Sequence, residues 1–170
     1  LGLEPRLGWR NWVVRVSSSI NIKTYRFPSQ EARTMKAKAV TVEGFWIVVD
    51  NGRAHSVALD LPQNLGGTNK GPTALELTVM GLAGCIATIF TLMAKKTRLP
   101  LKRIEVEVEA EKPEGAKTIT SAKIKARIFT EAEEKAVERA WKLTMENCPV
   151  GILFEKAGVK VEATYTIERA

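Results

Sequence analysis

Hydrophobic and polar residues alternate in three places in the second half of the chain. The alternation covers residues 103–111, 118–129 and 159–167, and it predicts strands with one packed and one solvated face. The polar positions are acidic in the first of these segments and basic in the second. An antiparallel pairing in even register would set the two rows side by side, each pair contributing about 0.2–1 kcal/mol.

A long apolar stretch over residues 73–97 predicts a helix with well-marked ends. Thr73 followed by Glu76 is the pattern of a capping box at the N-terminus. Lys95 and Lys96 suit the C-terminus, where the helix dipole is negative, and Pro100 prevents continuation.

Residues 130–158 predict two further helices. Thr130 and Glu133 form a second capping-box pattern ahead of an amphipathic apolar stripe. Pro149 suits the first residue of a short helix that ends at Gly158.

The segment before the apolar helix predicts three short strands. Residues 36–42 and 45–50 form the first two, and residues 54–60 form the third. Asn51-Gly52 between the second and third strands predicts a two-residue type I′ turn. Residues 61–72 are rich in Gly, Pro and Asn and predict a loop.

Length and charge divide the chain into two parts. The 170 residues suit one domain with an extension, and 45% hydrophobic with 26% charged residues is typical of a globular protein. We predict a basic N-terminal extension over residues 1–35, with loose alternation over residues 10–27 as an irregular hairpin, and a domain over residues 36–170. The extension carries six basic and two acidic residues. We favour an arm packed on the domain over contact with nucleic acid.

Several classes of site are poorly supported. Two cysteines and the lone His55 make no familiar metal-ligand spacing, and the sequence has no Gly-x-Ser-x-Gly elbow. Lys70 lies in a glycine-rich loop without the phosphate-binding pattern. The uncharged residues 77–94 are at the lower limit for a membrane span, but the alternating strands need a core, which favours a core helix. Two cysteines and no signal peptide favour a cytoplasmic protein.

The two cysteines are the most informative residues. Cys85 lies in the apolar helix, and Cys148 directly precedes a helix, where the dipole and free N–H groups stabilise a thiolate. Taken alone, each is equally well explained as a small buried hydrophobic residue. A reversible Cys85–Cys148 disulfide is a hypothesis that the sequence leaves open.

Two segments resemble the OsmC/Ohr family of thiol-dependent hydroperoxide reductases. They are LGGTNKGPTALELTVMGLAGCIAT, residues 65–88, and ENCPVGIL, residues 146–153, and the order of elements over residues 36–170 is also similar. The resemblance implies an α+β OsmC-like fold, with antiparallel sheets packed around a long central cysteine-bearing helix. It also implies an intertwined homodimer with active sites at the interface, and no metal or flavin cofactor.

The resemblance assigns roles to four residues. Cys85 corresponds to the peroxidatic cysteine and Cys148 to the resolving one, with an organic hydroperoxide as substrate and an external dithiol as reductant. Family members place a glutamate ten residues before the first cysteine and an arginine between the first two strands. This sequence has Leu75 at the first position and no arginine at the second, so Glu76 and Arg53 are the nearest candidates. The alternative is a non-catalytic protein that binds a small hydrophobic or thiol ligand at the dimer interface.

Overall fold

The computed structural model describes residues 34–169. The chain divides into two units, residues 1–35 and 36–170. The hairpin predicted within residues 10–27 lies outside the described residues. The second unit is an α+β structure in the order β-β-β-α-β-β-α-α-β, with one turn of 3-10 helix at Gln63–Leu65.

The first sheet contains three antiparallel strands in sequence order, as predicted. They are β1 (Lys38–Glu43), β2 (Trp46–Asp50) and β3 (Ser56–Leu59).

The predicted type I′ turn between β2 and β3 is wrong. Asp50 pairs with Ser56, which leaves a five-residue loop, and of the two central residues only Gly52 has a positive φ, at 70°. The Oδ1 atoms of Asp50 and Asn51 accept hydrogen bonds from the N–H groups of Gly52 (2.6 Å) and Arg53 (3.0 Å). These side-chain bonds stabilise the wider loop in place of the tight turn.

The second sheet confirms the predicted pairing of charged rows. It contains β4 (Leu101–Glu111), β5 (Ser121–Thr130) and β6 (Lys160–Glu168), in that order. β4 and β5 are antiparallel in even register, so three of the four glutamates of β4 lie opposite basic residues of β5: Glu105 opposite Arg127, Glu107 opposite Lys125, and Glu109 opposite Lys123.

The expectation of wholly antiparallel sheets is wrong for this second sheet. β6 pairs with β5 in parallel, so the sheet is mixed. The reason is the connection: residues 131–159 carry two helices between the strands, which is long enough to return the chain to the starting end of the sheet.

The apolar stretch forms one helix, α1 (Ala74–Thr97), and its capping box is present. Glu76 N–H donates to Thr73 Oγ1 at 3.2 Å, and Thr73 N–H donates to Glu76 Oε2 at 2.7 Å. Within the described residues α1 is the one helix long and apolar enough to cross a membrane. It packs instead as a core helix against β4 and the two later helices, burying one face. That face consists of Leu82, Ile86, Phe90, Met93 and Ala94.

The later helices are α2 (Glu134–Asn147) and α3 (Pro149–Lys156). Pro149 is the first residue of α3, as predicted. The second capping box is wrong, because α2 begins after Glu133 without a side-chain cap. Thr130 is the last residue of β5, and its hydroxyl donates to Pro100 O at 2.7 Å and accepts from Ala132 N–H at 3.0 Å.

The two sheets differ in how they are covered. Within residues 34–169, α1, α2, α3 and the second sheet pack on one another, whereas β1, β2 and β3 pack substantially only among themselves. Every residue of β1 is exposed. The first sheet therefore presents exposed apolar side chains, namely Val40, Val42, Phe45 and Val57.

Candidate active site

The structure brings the two cysteines together. Their Sγ atoms lie 3.0 Å apart, with the Cys148 thiol placed to donate a hydrogen bond to Cys85 Sγ. Both are free thiols, and 63 residues separate them in the chain. Because a disulfide bond is about 2 Å long, about 1 Å of approach would join them.

The packing of α1 on α3 produces this pair. Cys85 lies near the middle of α1, three residues after the buried Leu82, and is partly exposed. Cys148 ends α2 and caps α3, and its side chain is completely buried, with 0% exposure. Of the two cysteines, only Cys85 is therefore partly open to a molecule arriving from solvent.

Burial controls the electrostatics of Cys148. Burial, followed by its hydrogen bond with Cys85, raises the pKa of the Cys148 thiol from 9.0 to about 12, although the N–H groups of Gly151 and Val150 lower it. The N–H groups of the helix N-terminus thus favour the Cys148 thiolate in the direction predicted. The N–H groups are in place, but desolvation of the charged sulfur is the larger effect, so Cys148 keeps its proton at neutral pH.

Gly151 is a site residue that the sequence analysis did not identify. Its N–H donates to Cys148 Sγ at 3.4 Å, and a Cβ at this position would lie 3.5 Å from the same sulfur. The sequence could have indicated this contact, because Gly151 lies three residues after the capping cysteine, where a helix has a free N–H.

Glu76 is not brought to the thiols of its own chain. It is exposed, and the N–H and hydroxyl of Thr73 lower the pKa of its carboxyl group. Nine residues of α-helix separate it from Cys85, which corresponds to the opposite face of α1 and about 13 Å along the axis. Within one chain, Glu76 serves the helix cap.

Arg53 is also remote from the thiols. It lies exposed in the loop between β2 and β3, where its N–H donates to Asn51 Oδ1. Among residues 34–169, no hydrogen bond or ion pair joins Arg53 to Cys85 or Cys148. Arg53 therefore makes no contact of this kind with either thiol of its own chain.

Asp60 fixes the loop that leads into α1, and sequence reasoning missed it. Its carboxylate is only 3% exposed and accepts bonds from Leu61 N–H, from the hydroxyl and N–H of Thr68, and from Lys70 N–H. These bonds, that of the Thr68 hydroxyl first, lower the pKa of Asp60 to about 2. Lys70 extends its ammonium group over the Trp46 ring, 4.1 Å from the centroid. The glycine-rich loop is thus organised around a carboxylate of the chain.

Other candidate ligands are dispersed. The described residues contain no group of three or more His, Cys, Asp or Glu side chains that could hold a metal ion. His55 is exposed in the loop between β2 and β3, with its Nδ1 atom 3.4 Å from Asn51 Nδ2.

Open space lies along α1 near the thiols. A Cβ added at Gly81 or at Gly84 would meet no atom within 4 Å. Further along the helix is a groove of about 540 Å³ between α1 and β4. The groove is lined by Ala87, Thr88, Thr91, Leu92, Lys95 and Ile104.

Comparison with known sequences identifies a protein family that matches most of the domain. A family model described as OsmC-like protein matches residues 67–164, which include both cysteines. The chain is 28% identical over 139 residues to Protein YhfA of Escherichia coli K12, covering 80% of this chain and all of that protein.

Solved structures share the fold. An OsmC-like protein from Mycoplasma pneumoniae has a TM-score of 0.72 at 17% identity, over 81% of this chain and 99% of that one. An organic hydroperoxide resistance protein, OsmC, from Legionella pneumophila has a TM-score of 0.63 at 21% identity, over the same shares of the two chains.

Proposed function

We propose that this chain, which belongs to the OsmC-like protein family, is a thiol-dependent peroxidase that reduces organic hydroperoxides. The observation that carries the proposal is the 3.0 Å separation of the Cys85 and Cys148 sulfur atoms. The name of the Legionella neighbour, an organic hydroperoxide resistance protein, supports the substrate class.

The burial of the two thiols supports the roles that we propose for them. The partly exposed Cys85 thiolate attacks the O–O bond of the hydroperoxide, becomes a sulfenic acid and releases an alcohol. Cys148 is fully buried and, because burial raises its pKa to about 12, holds its proton at neutral pH. Its burial and retained proton support Cys148 as the resolving cysteine of the proposed reaction.

Resolution and recycling complete the cycle. The Cys148 sulfur attacks the Cys85 sulfenic acid, an S–S bond forms, and the hydroxyl leaves as water with the thiol proton. An external dithiol then reduces the disulfide by exchange, restores both thiols and becomes a cyclic disulfide itself. The partly exposed Cys85 sulfur is the one that the dithiol can reach.

We further propose that the working protein is a homodimer. Within residues 34–169 of one chain, the exposed apolar residues of the first sheet and the uncovered face of α1 have no core to pack on. A second copy would cover both surfaces and could bring its Arg53 to Cys85, where a cation stabilises the thiolate. Free thiols without a structural disulfide fit a cytoplasmic location.

The dimer is tested by light scattering on wild type and Val40→Asp. We expect the wild type to run as a dimer and the variant to dissociate, because Val40 is an exposed apolar residue of β1. Lys117→Asp, in the exposed turn between β4 and β5, is the matched control and should remain dimeric. A monomeric wild type at micromolar concentration would contradict this proposal.

The peroxidase is tested by following cumene hydroperoxide consumption with dithiothreitol as reductant, and the oxidised species by mass spectrometry. We expect Cys85→Ser to be inactive and Cys148→Ser to accumulate a sulfenic acid. Arg53→Gln should slow the peroxide step, and Arg53→Lys should retain most of it. An inert wild type with both thiols titratable would remove the enzyme proposal and leave the fold assignment intact.

The alternative is a non-catalytic protein that binds a small hydrophobic or thiol ligand. The groove of about 540 Å³ beside α1 favours it, as does the position of Arg53, which makes no hydrogen bond or ion pair with Cys85 within residues 34–169 of one chain. The probe is a fluorescent anilinonaphthalene sulfonate. Binding that is lost in Thr91→Trp, which fills the groove, but kept in Lys117→Asp would support the binder if peroxide turnover is absent.

A further inference from the structure

The two thiols form a site that needs no third protein ligand. Their sulfur atoms are 3.0 Å apart, and one is fully buried while the other is partly exposed. Among residues 34–169, no third His, Cys, Asp or Glu side chain completes a metal-binding group around them. Within the described part of the chain, a ligand of this pair therefore has two protein sulfur atoms to bind.

Divalent metal ions fit this site poorly. Zinc takes four ligands in structural sites and three from the protein in catalytic ones, and its cysteine ligands are thiolates. Burial raises the pKa of Cys148, which opposes a charged sulfur at this position. The pair favours a soft, thiol-seeking partner that needs two sulfur ligands and leaves no net charge in the buried position.

We propose that Cys85 and Cys148 together bind trivalent monoorganoarsenicals of the form R–As=O. Two As–S bonds form and the As=O bond breaks. The oxygen leaves as water with both thiol protons, so arsenic and sulfur keep their oxidation states. The bound product is neutral, which suits the buried position of Cys148. The inference rests on the dithiol geometry and not on the proposed peroxidase activity.

The helix provides space for the organic group. Side chains on an α-helix lean toward its N-terminus, so the Cys85 side chain lies over the turn that contains Gly81. Neither Gly81 nor Gly84 carries a Cβ, and one added at either position would meet nothing within 4 Å. Arsenic can thus bond first to the accessible Cys85 and then close the ring with Cys148 while its substituent lies along this surface.

Phenylarsine oxide is the probe, added to the reduced full-length chain in the presence of excess monothiol. Intact mass spectrometry should show one adduct per chain, with the mass of one arsenical minus one water. A small dithiol should remove it, because only a dithiol offers the same two-point attachment. Cys85→Ser and Cys148→Ser should each weaken binding by at least about 100-fold, the gain typical of a second tethered contact.

Controls separate binding from folding. Serine is a favoured capping residue and can accept the Gly151 N–H, so Cys148→Ser should keep its helical circular dichroism. The inference would be overturned if the wild type formed no adduct. It would also be overturned if the Cys148→Ser adduct resisted excess monothiol as well as the wild-type adduct does. Peroxide turnover is measured separately and tests the peroxidase proposal. Arsenical binding without turnover would contradict only the peroxidase. Turnover without arsenical binding would contradict only the arsenical site.

Discussion

The buried Cys148 thiol predicts a specific loss of stability at alkaline pH. Burial raises its pKa from 9.0 to about 12, so the folded protein accommodates the thiol and disfavours the thiolate. A group whose pKa is raised on folding contributes stability that is complete below its unfolded pKa. That contribution is lost as the pH rises from about 9 toward about 12.

The expected size follows from proton linkage. One proton released on unfolding lowers the free energy of unfolding by about 1.4 kcal/mol per pH unit. Between pH 7 and pH 10.5 the loss is about 2 kcal/mol, most of it above pH 9, and this is a large part of the stability of an ordinary domain. The assay is urea unfolding under reducing conditions from pH 7 to 10.5, at one protein concentration because subunit association contributes to stability.

Cys148→Ser is the matched control. Serine does not titrate, while every lysine and tyrosine is retained, including Tyr165, whose pKa burial also raises. Subtracting the variant's pH dependence from that of the wild type isolates the one thiol. Parallel curves for the two proteins would refute the reasoning, because they would mean that the helix N-terminus offsets the cost of burying a Cys148 thiolate.

Three further predictions concern the surroundings of the thiols. Asp60→Asn should lower the melting temperature, since an amide nitrogen cannot accept the N–H groups of Thr68 and Lys70. It should also reduce the wild type's loss of stability as the pH falls from 3.8 to about 2, as followed by thermal melts, and an unchanged acid limb would contradict this. Glu76→Gln should leave peroxide turnover unchanged, because Glu76 caps α1 on the face away from Cys85; a large drop in rate would assign it a role in the reaction. Gly81→Leu should raise stability by up to about 1 kcal/mol through helix propensity and slow cumene hydroperoxide more than hydrogen peroxide, whereas equal slowing would show that the space near Gly81 is not used.

Local patterns predicted most of the secondary structure. Helix ends are set by interactions within a few residues, here the capping box at Thr73 and the restricted backbone of the prolines at positions 100 and 149. The structure has α1 and α3 where these signals place them. The alternation of β4 and β5 also fixed their register, because a slip by one residue would turn every side chain to the opposite face.

Predictions failed where another contact, near or distant in the chain, competed with the signal that the prediction used. Thr130 belongs to β5 and donates its hydroxyl to Pro100 O, so it does not cap α2. The loop after Asp50 widened because two side chains accept its N–H groups. β6 is parallel because its direction depends on how α2 and α3 pack, which alternation within the strand does not record.

The sequence by itself identified the two cysteines, placed one within a helix and the other at a helix start, and carried the family resemblance that pairs them. Only the tertiary structure placed their sulfur atoms 3.0 Å apart, because that distance depends on the packing of α1 against α3. The structure likewise decided that Cys148 keeps its proton while Cys85 is partly exposed. A free N–H at a helix start is a local feature of the chain. Desolvation depends on every segment packed around a sulfur, and the folded arrangement alone determines it.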